Sequence, residues 1–436
     1  MNYAKLPLGE KLRLIRKEKG LSLENMAHAT KSSVTVLSRI ERGQIECGEE
    51  MLARIRKFLD IERAPLLEHE LETFRSRLLV MYDHSLAKRD TEARNMQNEF
   101  TPILDLPFEL DLIMLYRVIE ARMLCMVGNF DDAEANLAKA EECIEELCEE
   151  TRHIFHYTKG SFHAASVGEE RYALKHYLAA IDLCNEKIKT PAPLLMYAGL
   201  MYFTLCKPYQ AIRYFEQAKD EYRGDRTIVW APQMDINLAS CFIETGELDK
   251  AKDLLDTALA HSRSVNDDIH IGITIGLLGM INEKRGELDE AIKQYQHSLT
   301  YFQDVSHTYG YYNRLYGLCN IAICSYKANK RSQSTEAANE GLNIANSEER
   351  KEPSFAIIFE ACLALLALKD GKPDEYIESV AIPYLVKNLR LYEARTFCDE
   401  LESYYKKKGS MKKANAIAAI SRDIYKEILS SDISEK

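Results

Sequence analysis

Two stretches 40 residues apart decide the fold: residues 246–260 read GELDKAKDLLDTALA, and residues 286–300 read GELDEAIKQYQHSLT. In each stretch an initial Gly is followed five positions later by Ala. Four residues after that Ala stands a larger apolar residue, Leu255 or Tyr295, and three residues further on stands a small one. Such spacing places these residues on one face of an α-helix. We expect the small residues to let the two helices of a hairpin approach, and the larger residue to fill the groove to the next hairpin.

The same spacing recurs along most of the chain with a period of about 40 residues. A period of this length is typical of helical hairpins stacked in an array. We therefore predict eight hairpins over residues 109–427 and an incomplete hairpin over residues 66–100, with Pro65, Pro102 and Pro107 at the joints. The first position of the eight registers is occupied by Gly128, Gly168, Cys206, Gly246, Gly286, Asn329, Gly371 and Gly409.

The composition agrees with an all-α chain. Of 436 residues, 46% are hydrophobic and 29% are charged, which excludes a disordered or membrane-embedded chain. No signal peptide is visible, and the longest apolar run of the C-terminal half, residues 361–368, is far shorter than the roughly 20 residues of a membrane span. The 11 cysteines form no C-x-x-C pair, which indicates free thiols in a reducing compartment. We expect a cytoplasmic protein without a disulfide framework.

The net charge of −11 hides a segregated distribution. Residues 1–65 contain 13 Lys and Arg against 9 Asp and Glu, a balance of +4, so the remaining residues carry −15. A compact basic segment in an otherwise acidic chain indicates a nucleic-acid-binding domain at the N-terminus. The predicted organisation is therefore a small domain over residues 1–65 and a long repeat domain over residues 66–436.

The first 65 residues predict four short helices. Gly20 and Gly43 are placed to end the first and third helices in the left-handed conformation. Ser22 and Ser33 are placed to cap the second and third helices. The third helix is expected to run over residues 34–42.

Residues 20–43, GLSLENMAHATKSSVTVLSRIERG, resemble the phage-repressor-like (XRE/Cro) helix-turn-helix. That family commonly shows G-L-[ST]-Q-x-x-L-A followed by S-x-x-x-[IL]-S-x-x-E-x-G. The resemblance implies that the third helix enters the major groove of double-stranded DNA and that dimers read paired half-sites. By position it implies contacts to base edges from Val34, Thr35 and Arg39, and to phosphates from Ser33, Ser38 and Arg42.

The chain departs from the family pattern at three places. Leu23 replaces the usual Gln of the second helix, Lys31 replaces the usual Gly of the turn, and Ser32 replaces an apolar residue. A domain of this kind that has lost DNA binding and makes protein contacts is the alternative interpretation.

The repeated segments resemble the tetratricopeptide repeat, which shows small-x2-aromatic in its first helix and A-x3-F-x2-A in its second. The usual period is 34 residues, and a Pro often closes each unit. Here the period is longer and that Pro is missing, so longer helices or loops are expected. The resemblance implies an all-α protein in which the helix-turn-helix domain precedes a right-handed superhelical tetratricopeptide-repeat solenoid.

No pattern predicts an active site. Gly272, Gly276 and Gly279 fall within a helical pattern and form no phosphate loop. His156 and His163 share a helix face, but seven residues at 1.5 Å per residue separate them by about 10 Å, too far for one metal ion. We expect a chain that is not an enzyme and that carries no cofactor and no metal.

A concave surface lined by the first helix of each hairpin is suited to binding an extended peptide. Asn offers both a donor and an acceptor to a peptide backbone, and Asn237 and Asn320 occupy equivalent positions, nine residues before positions 246 and 329. Bonding between neighbouring helices is the alternative role for these side chains. The candidate peptide contacts are Asn237, Asn320, Asn282, Asn313, Arg122, Tyr202 and Tyr316.

A basic helix-turn-helix followed by a long helical repeat array resembles the Rap/Rgg/NprR/PlcR/PrgX (RRNPP) quorum-sensing receptors, most of all the longer NprR-like members. The resemblance implies a cytosolic transcription regulator switched by a short signalling peptide, acting as a homodimer or a tetramer and without a membrane partner. Two alternatives remain open. The repeats could bind a response regulator, as in the Rap-like branch, or they could serve only for dimerisation of a repressor.

Overall fold

The structure is a computed structural model that describes residues 7–61, 68–87, 90–100, 109–166, 169–224, 231–303, 308–347, 351–371 and 375–429. Over these ranges every regular element is a helix, which confirms the predicted all-α class. Pro65, Pro102, Pro107, Gly168 and the boundary predicted after residue 65 lie outside the described residues. No helix in the described ranges is long and apolar enough to cross a membrane.

The chain divides into two compact units, Met1–Thr190 and Pro191–Lys436. The N-terminal helices therefore share a unit with the first hairpins. The first unit contains α1 (Leu8–Glu18), α2 (Leu23–Thr30), α3 (Val34–Glu41), α4 (Glu49–Leu59), α5 (Glu68–Leu86), α6 (Asp90–Phe100), α7 (Leu110–Met126), α8 (Phe130–Glu141), α9 (Glu149–Ala164) and α10 (Glu170–Asp182).

The helices of the second unit continue the pairwise pattern. A π-helical turn, Ile377–Ala381, precedes the short α20. The elements are α11 (Ala192–Thr204), α12 (Pro208–Gly224), α13 (Ala231–Thr245), α14 (Leu248–Ser264), α15 (Asp268–Lys284), α16 (Leu288–Leu299), α17 (Thr308–Lys327), α18 (Arg331–Ala345), α19 (Pro353–Lys369), α20 (Ile382–Lys387), α21 (Leu391–Lys407) and α22 (Met411–Leu429).

Helices α1–α4 form the head, a small domain with its own apolar core. Ser22 Oγ accepts a hydrogen bond from the Asn25 N–H at 3.0 Å, and Ser33 Oγ accepts one from the Val36 N–H at 3.2 Å, so both predicted caps are present. Lys31 has φ 53° and ψ 45°, the left-handed conformation that the family's Gly would adopt. The core residues are Leu12, Ile15, Met26, Ala27, Leu37, Ile40, Ile55 and Leu59.

The head depends on one close approach between helices. Gly9 lies in the first turn of α1, and its backbone abuts the carbonyl group of Ile40 near the end of α3. A Cβ atom at position 9 would overlap that carbonyl oxygen. Glycine is therefore required by sterics at this position, although it is a poor helix former.

Eight helical pairs, α7/α8 to α21/α22, follow among the described residues, two in the first unit and six in the second. The small residues act as predicted within each pair. A Cβ atom on Gly199 would lie 2.7 Å from the Phe215 ring, and one on Gly279 would lie 2.9 Å from the Tyr295 ring. These rings therefore pack against the first helix of their own hairpin, whereas the sequence analysis assigned them to the groove between hairpins.

All eleven cysteines are free, and their burial follows the two units. Burial raises the pKa of the Cys362 thiol to about 12 and that of Cys125 to about 11. The half-buried thiols of the first unit are Cys47, Cys125, Cys143, Cys148 and Cys184, and the buried thiols of the second are Cys206, Cys241, Cys319, Cys324, Cys362 and Cys398.

Candidate DNA and peptide interfaces

Helix α3 has one buried face and one exposed face. Leu37, Ile40 and Glu41 point into the head. Val34 is 39% exposed, and Thr35 and Arg39 are also exposed. The predicted base-contacting side chains therefore share the solvent-exposed surface of a capped helix, as groove insertion requires.

The flanking polar residues hold α3 in place. Arg42 Nη2 donates to Ser38 Oγ at 2.8 Å, which ties two predicted phosphate contacts together. Arg16 Nε donates to Glu41 Oε1 at 2.6 Å, and Arg16 Nη2 donates to Glu41 Oε2 at 2.9 Å. The hydrogen bond to Glu41 raises the pKa of Arg16, and the paired bonds join α1 to α3.

Sequence reasoning missed Val36, which is 36% exposed on α3 between the candidates Thr35 and Arg39. The signal was present in the sequence. Residues 33–36 form the first turn of a helix whose buried residues start at Leu37, so Val36 had no place in the core.

In the second unit, Asn237 on α13 lies at the end of a chain of hydrogen-bonded side chains. Gln233 Nε2 donates to Asn237 Oδ1 at 2.9 Å, and Gln233 Oε1 contacts His270 Nε2 at 2.6 Å. His270 Nδ1 in turn contacts Asp267 Oδ2 at 2.6 Å. Burial opposes ionisation of Asp267, but the hydrogen bonds from His270 outweigh it and lower the pKa of that carboxyl group. Asn237 is 8% exposed, and its Nδ2 has no hydrogen-bond partner among the described residues.

The other asparagine candidates have different surroundings. Asn320 is half-buried at the equivalent place on α17, and Asn313 is half-buried earlier on the same helix. Asn282 Nδ2 donates to Gln294 Oε1 on α16 at 2.9 Å, so its amide serves the contact within its hairpin.

The aromatic and basic candidates are also engaged within the protein. Tyr202 stacks on Tyr214 with ring centroids 5.3 Å apart. Arg122 belongs to the first unit, where its guanidinium lies 4.8 Å from the centroid of the Tyr157 ring. The structure therefore does not bring Arg122 and the asparagines of α13 and α17 into one unit.

Tyr316 meets a residue that sequence reasoning missed. Arg390 Nη1 donates to Tyr316 Oη at 2.9 Å, and the guanidinium lies 5.2 Å and 4.9 Å from the ring centroids of Tyr316 and Phe355. Arg390 also pairs with Glu393. Tyr316 is 43% exposed as a whole residue. Burial nevertheless raises the pKa of its hydroxyl, and the positive charge of Arg390 opposes this change without cancelling it.

Within the second unit, the first hairpin contacts the last ones. Cys206, in the turn between α11 and α12, donates to the carbonyl of Leu389 at 3.5 Å. Lys207 is buried and donates to the main-chain carbonyl of Glu427 on α22.

Three histidines of the first unit lie together. His176 on α10 places its Nδ1 2.9 Å from His156 Nδ1, and its ring stacks on His163 at 5.6 Å. Burial, followed by the charge of His156, lowers the pKa of His176 to about 3. Over the described ranges no group of three or more ligating side chains is arranged to hold a metal ion.

Family models match two parts of the chain: a helix-turn-helix domain over residues 7–68 and a tetratricopeptide repeat over residues 230–304. No curated protein matches the chain significantly.

Three solved structures share the fold of most of the chain, each at 18% identity and each matched over 99% of its length. The apo form of the quorum sensor NprR from B. thuringiensis covers 81% of this chain with a TM-score of 0.65. NprR in complex with its cognate peptide NprX covers 81% with a TM-score of 0.64. A Rap protein complexed with competence and sporulation factor covers 82% with a TM-score of 0.67.

At 18% identity these matches show a likeness of fold. They confirm, at the level of fold, the predicted resemblance to the RRNPP group. The chain joins an N-terminal helix-turn-helix domain to a tetratricopeptide-repeat array with the fold of the NprR and Rap structures.

Proposed function

We propose that this protein is a cytoplasmic, peptide-responsive transcription regulator. The head binds paired half-sites in double-stranded DNA as a homodimer, and a short signalling peptide bound to the repeats changes its DNA affinity. The observation that carries the proposal is the exposed, capped face of α3, with Val34, Thr35 and Arg39 on its surface.

The proposal that the head binds DNA is supported by its charge as well as by its shape. The head carries +4 on a chain of −11, so phosphate attracts the head while the acidic remainder is repelled. Arg39 is suited to a bidentate contact with guanine, and Val34 and Thr35 to contact with a thymine methyl group.

Replacing Arg39 by Ala is expected to weaken site-specific binding by about tenfold or more, because a bidentate base contact contributes about 1–3 kcal/mol. Duplexes selected by the wild-type protein from a random library supply the binding site, and fluorescence anisotropy measures the affinity. Lys57→Ala is the matched control, since it removes one exposed positive charge from α4. Equal losses for the two variants, or full binding by the Arg39 variant, would contradict the assignment of α3.

The proposal that the repeats bind a peptide is supported by the side chain of Asn237. A buried amide N–H without a partner costs about 1–3 kcal/mol, and a backbone carbonyl of an extended peptide would satisfy it. Gln233 occupies the Asn237 oxygen and so leaves the amide nitrogen as the group offered to a ligand. The fold is shared with NprR, which has been solved with its cognate peptide.

Peptide binding is tested with synthetic peptides that copy the C-terminal residues of small secreted reading frames beside the gene. We expect one of them to raise the melting temperature of the full chain and to be recovered with the protein from its host. Asn237→Ala should weaken its binding about five- to tenfold, the effect of about one hydrogen bond. Asn282→Ala should leave it unchanged because that amide already bonds Gln294.

If no such peptide binds, the proposal of peptide binding is wrong. Two further experiments then distinguish binding of a response regulator from simple dimerisation. Capture of a response regulator by the full chain favours the Rap-like role. DNA binding that needs only dimerisation favours a simple repressor.

A further inference from the structure

Lys11 joins the head to the body of the first unit through a buried ion pair. Its Nζ lies 2.6 Å from Glu109 Oε1, and each side chain is only 1% exposed. The two residues are 98 positions apart, because Lys11 is on α1 and Glu109 immediately precedes α7. The buried Nζ of Lys11 thus meets a buried carboxylate at the start of α7.

Burial of this lysine is informative because a lone buried ammonium group is strongly disfavoured in a protein interior. Separation of the two surfaces would return both charges to water, whereas loss of one partner would leave the other charge buried and unpaired. A buried ion pair of this kind contributes little net stability, but it selects one geometry of the surfaces that it joins.

The charged contacts continue from Glu109 into the first hairpins. Asp111, two residues further on, pairs with Arg75 on α5 and accepts a hydrogen bond from the Cys148 N–H at 2.8 Å. Arg75 also pairs with Glu150 in the first turn of α9 at 2.7 Å. The start of α7 therefore contacts α1, α5 and α9 through adjacent charged groups.

We propose that the Lys11–Glu109 pair is the coupling contact between the DNA-reading head and the repeats. It holds α3 in one orientation relative to α7 and α9, so a rearrangement of these helices changes the geometry of the paired heads on DNA. The proposal rests on the proposed DNA-binding function for its consequence, but the docking of the head can be measured without DNA.

The first measurement is hydrogen exchange on four full-length variants. Lys11→Met and Glu109→Gln should each accelerate exchange at the Ile113 and Cys148 amides at least about tenfold, since these N–H groups bond Glu109 O and Asp111 Oδ1. The double variant Lys11→Met/Glu109→Leu, with apolar groups on both sides, should restore slow exchange. Lys17→Met removes an exposed charge from the same helix and should leave exchange unchanged. Wild-type exchange in both single variants would overturn the proposal.

The second measurement tests whether docking of the head on α7 determines the half-site spacing that the protein requires in DNA. Duplexes selected from a random library by the wild-type protein are rebuilt with one, two or three extra base pairs between the half-sites. The wild-type protein should lose at least about tenfold in affinity on each change of spacing, and the single variants should lose less than about threefold. Faster exchange combined with a wild-type spacing requirement would overturn the coupling. If the wild-type protein selects no duplex, the proposed function fails, and the exchange data still decide whether the pair docks the head.

Discussion

Replacing Gly9 by alanine is expected to unfold the head and abolish DNA binding. The new Cβ atom would overlap the Ile40 carbonyl oxygen, so α1 and α3 must separate. Overpacking of this kind costs about 1–3 kcal/mol, or more where backbone atoms clash, which outweighs the gain of about 1 kcal/mol in helix propensity. A small domain has only a few kcal/mol to lose. Hydrogen exchange of the α1 and α3 amides measures the loss directly.

The control is Gly48→Ala in the same domain. Gly48 precedes α4 with φ −61°, and a Cβ atom there would have no neighbour within 4 Å. We expect this variant to keep slow exchange in α1 and α3 and to bind DNA as the wild-type protein does. Protected amides in the Gly9 variant would show that α1 and α3 tolerate a wider separation than we infer.

Gly341→Ala is expected to destabilise the second unit by several kcal/mol. A Cβ atom at position 341 on α18 would penetrate the ring of Phe359, which is fully buried on α19. The ring cannot move aside easily because it is packed within the largest apolar cluster of the unit. Chemical denaturation followed by circular dichroism should show an earlier transition for this variant.

Two further variants test the steric cause. Gly276→Ala should cost less than Gly341→Ala, since its nearest neighbour, the Ser298 hydroxyl, would lie 3.2 Å from the new Cβ atom and need move only slightly. Phe359→Leu should destabilise the wild-type protein but destabilise the Gly341 variant less, because the smaller side chain makes room for the methyl group. Strictly additive effects of the two substitutions would contradict a direct clash.

Local signals predicted most of the fold. Ser22 and Ser33 cap the helices that the sequence assigned to them, because a cap depends only on a side chain and an N–H three residues later. Gly20 and Gly43 take positive φ values of 65° and 70° at the predicted helix ends. Eight hairpins could be counted from spacing alone because each repeat obeys the same local packing rule.

The contacts that shape the candidate sites could not be predicted in this way. Arg390 and Tyr316 are 74 residues apart, and Lys11 and Glu109 are 98 residues apart. Neither pair shares a helix face or a repeat register, so only the packed structure reveals that they meet. Val36 is different, because its exposure follows from the local pattern that the sequence analysis did not use.

Because the two units differ in cysteine burial, the rates at which their thiols are alkylated report on the opening of each unit. A small alkylating reagent can reach the half-buried thiols of the first unit through minor fluctuations. The six thiols of the second unit react only when that unit opens, because the reagent must touch the sulfur and burial suppresses the thiolate. The rate of mass gain at Cys319 or Cys362, read by peptide mass spectrometry, therefore reports how often the repeats open. A ligand that binds the repeats should lower this alkylation rate, and the measurement needs no engineered label.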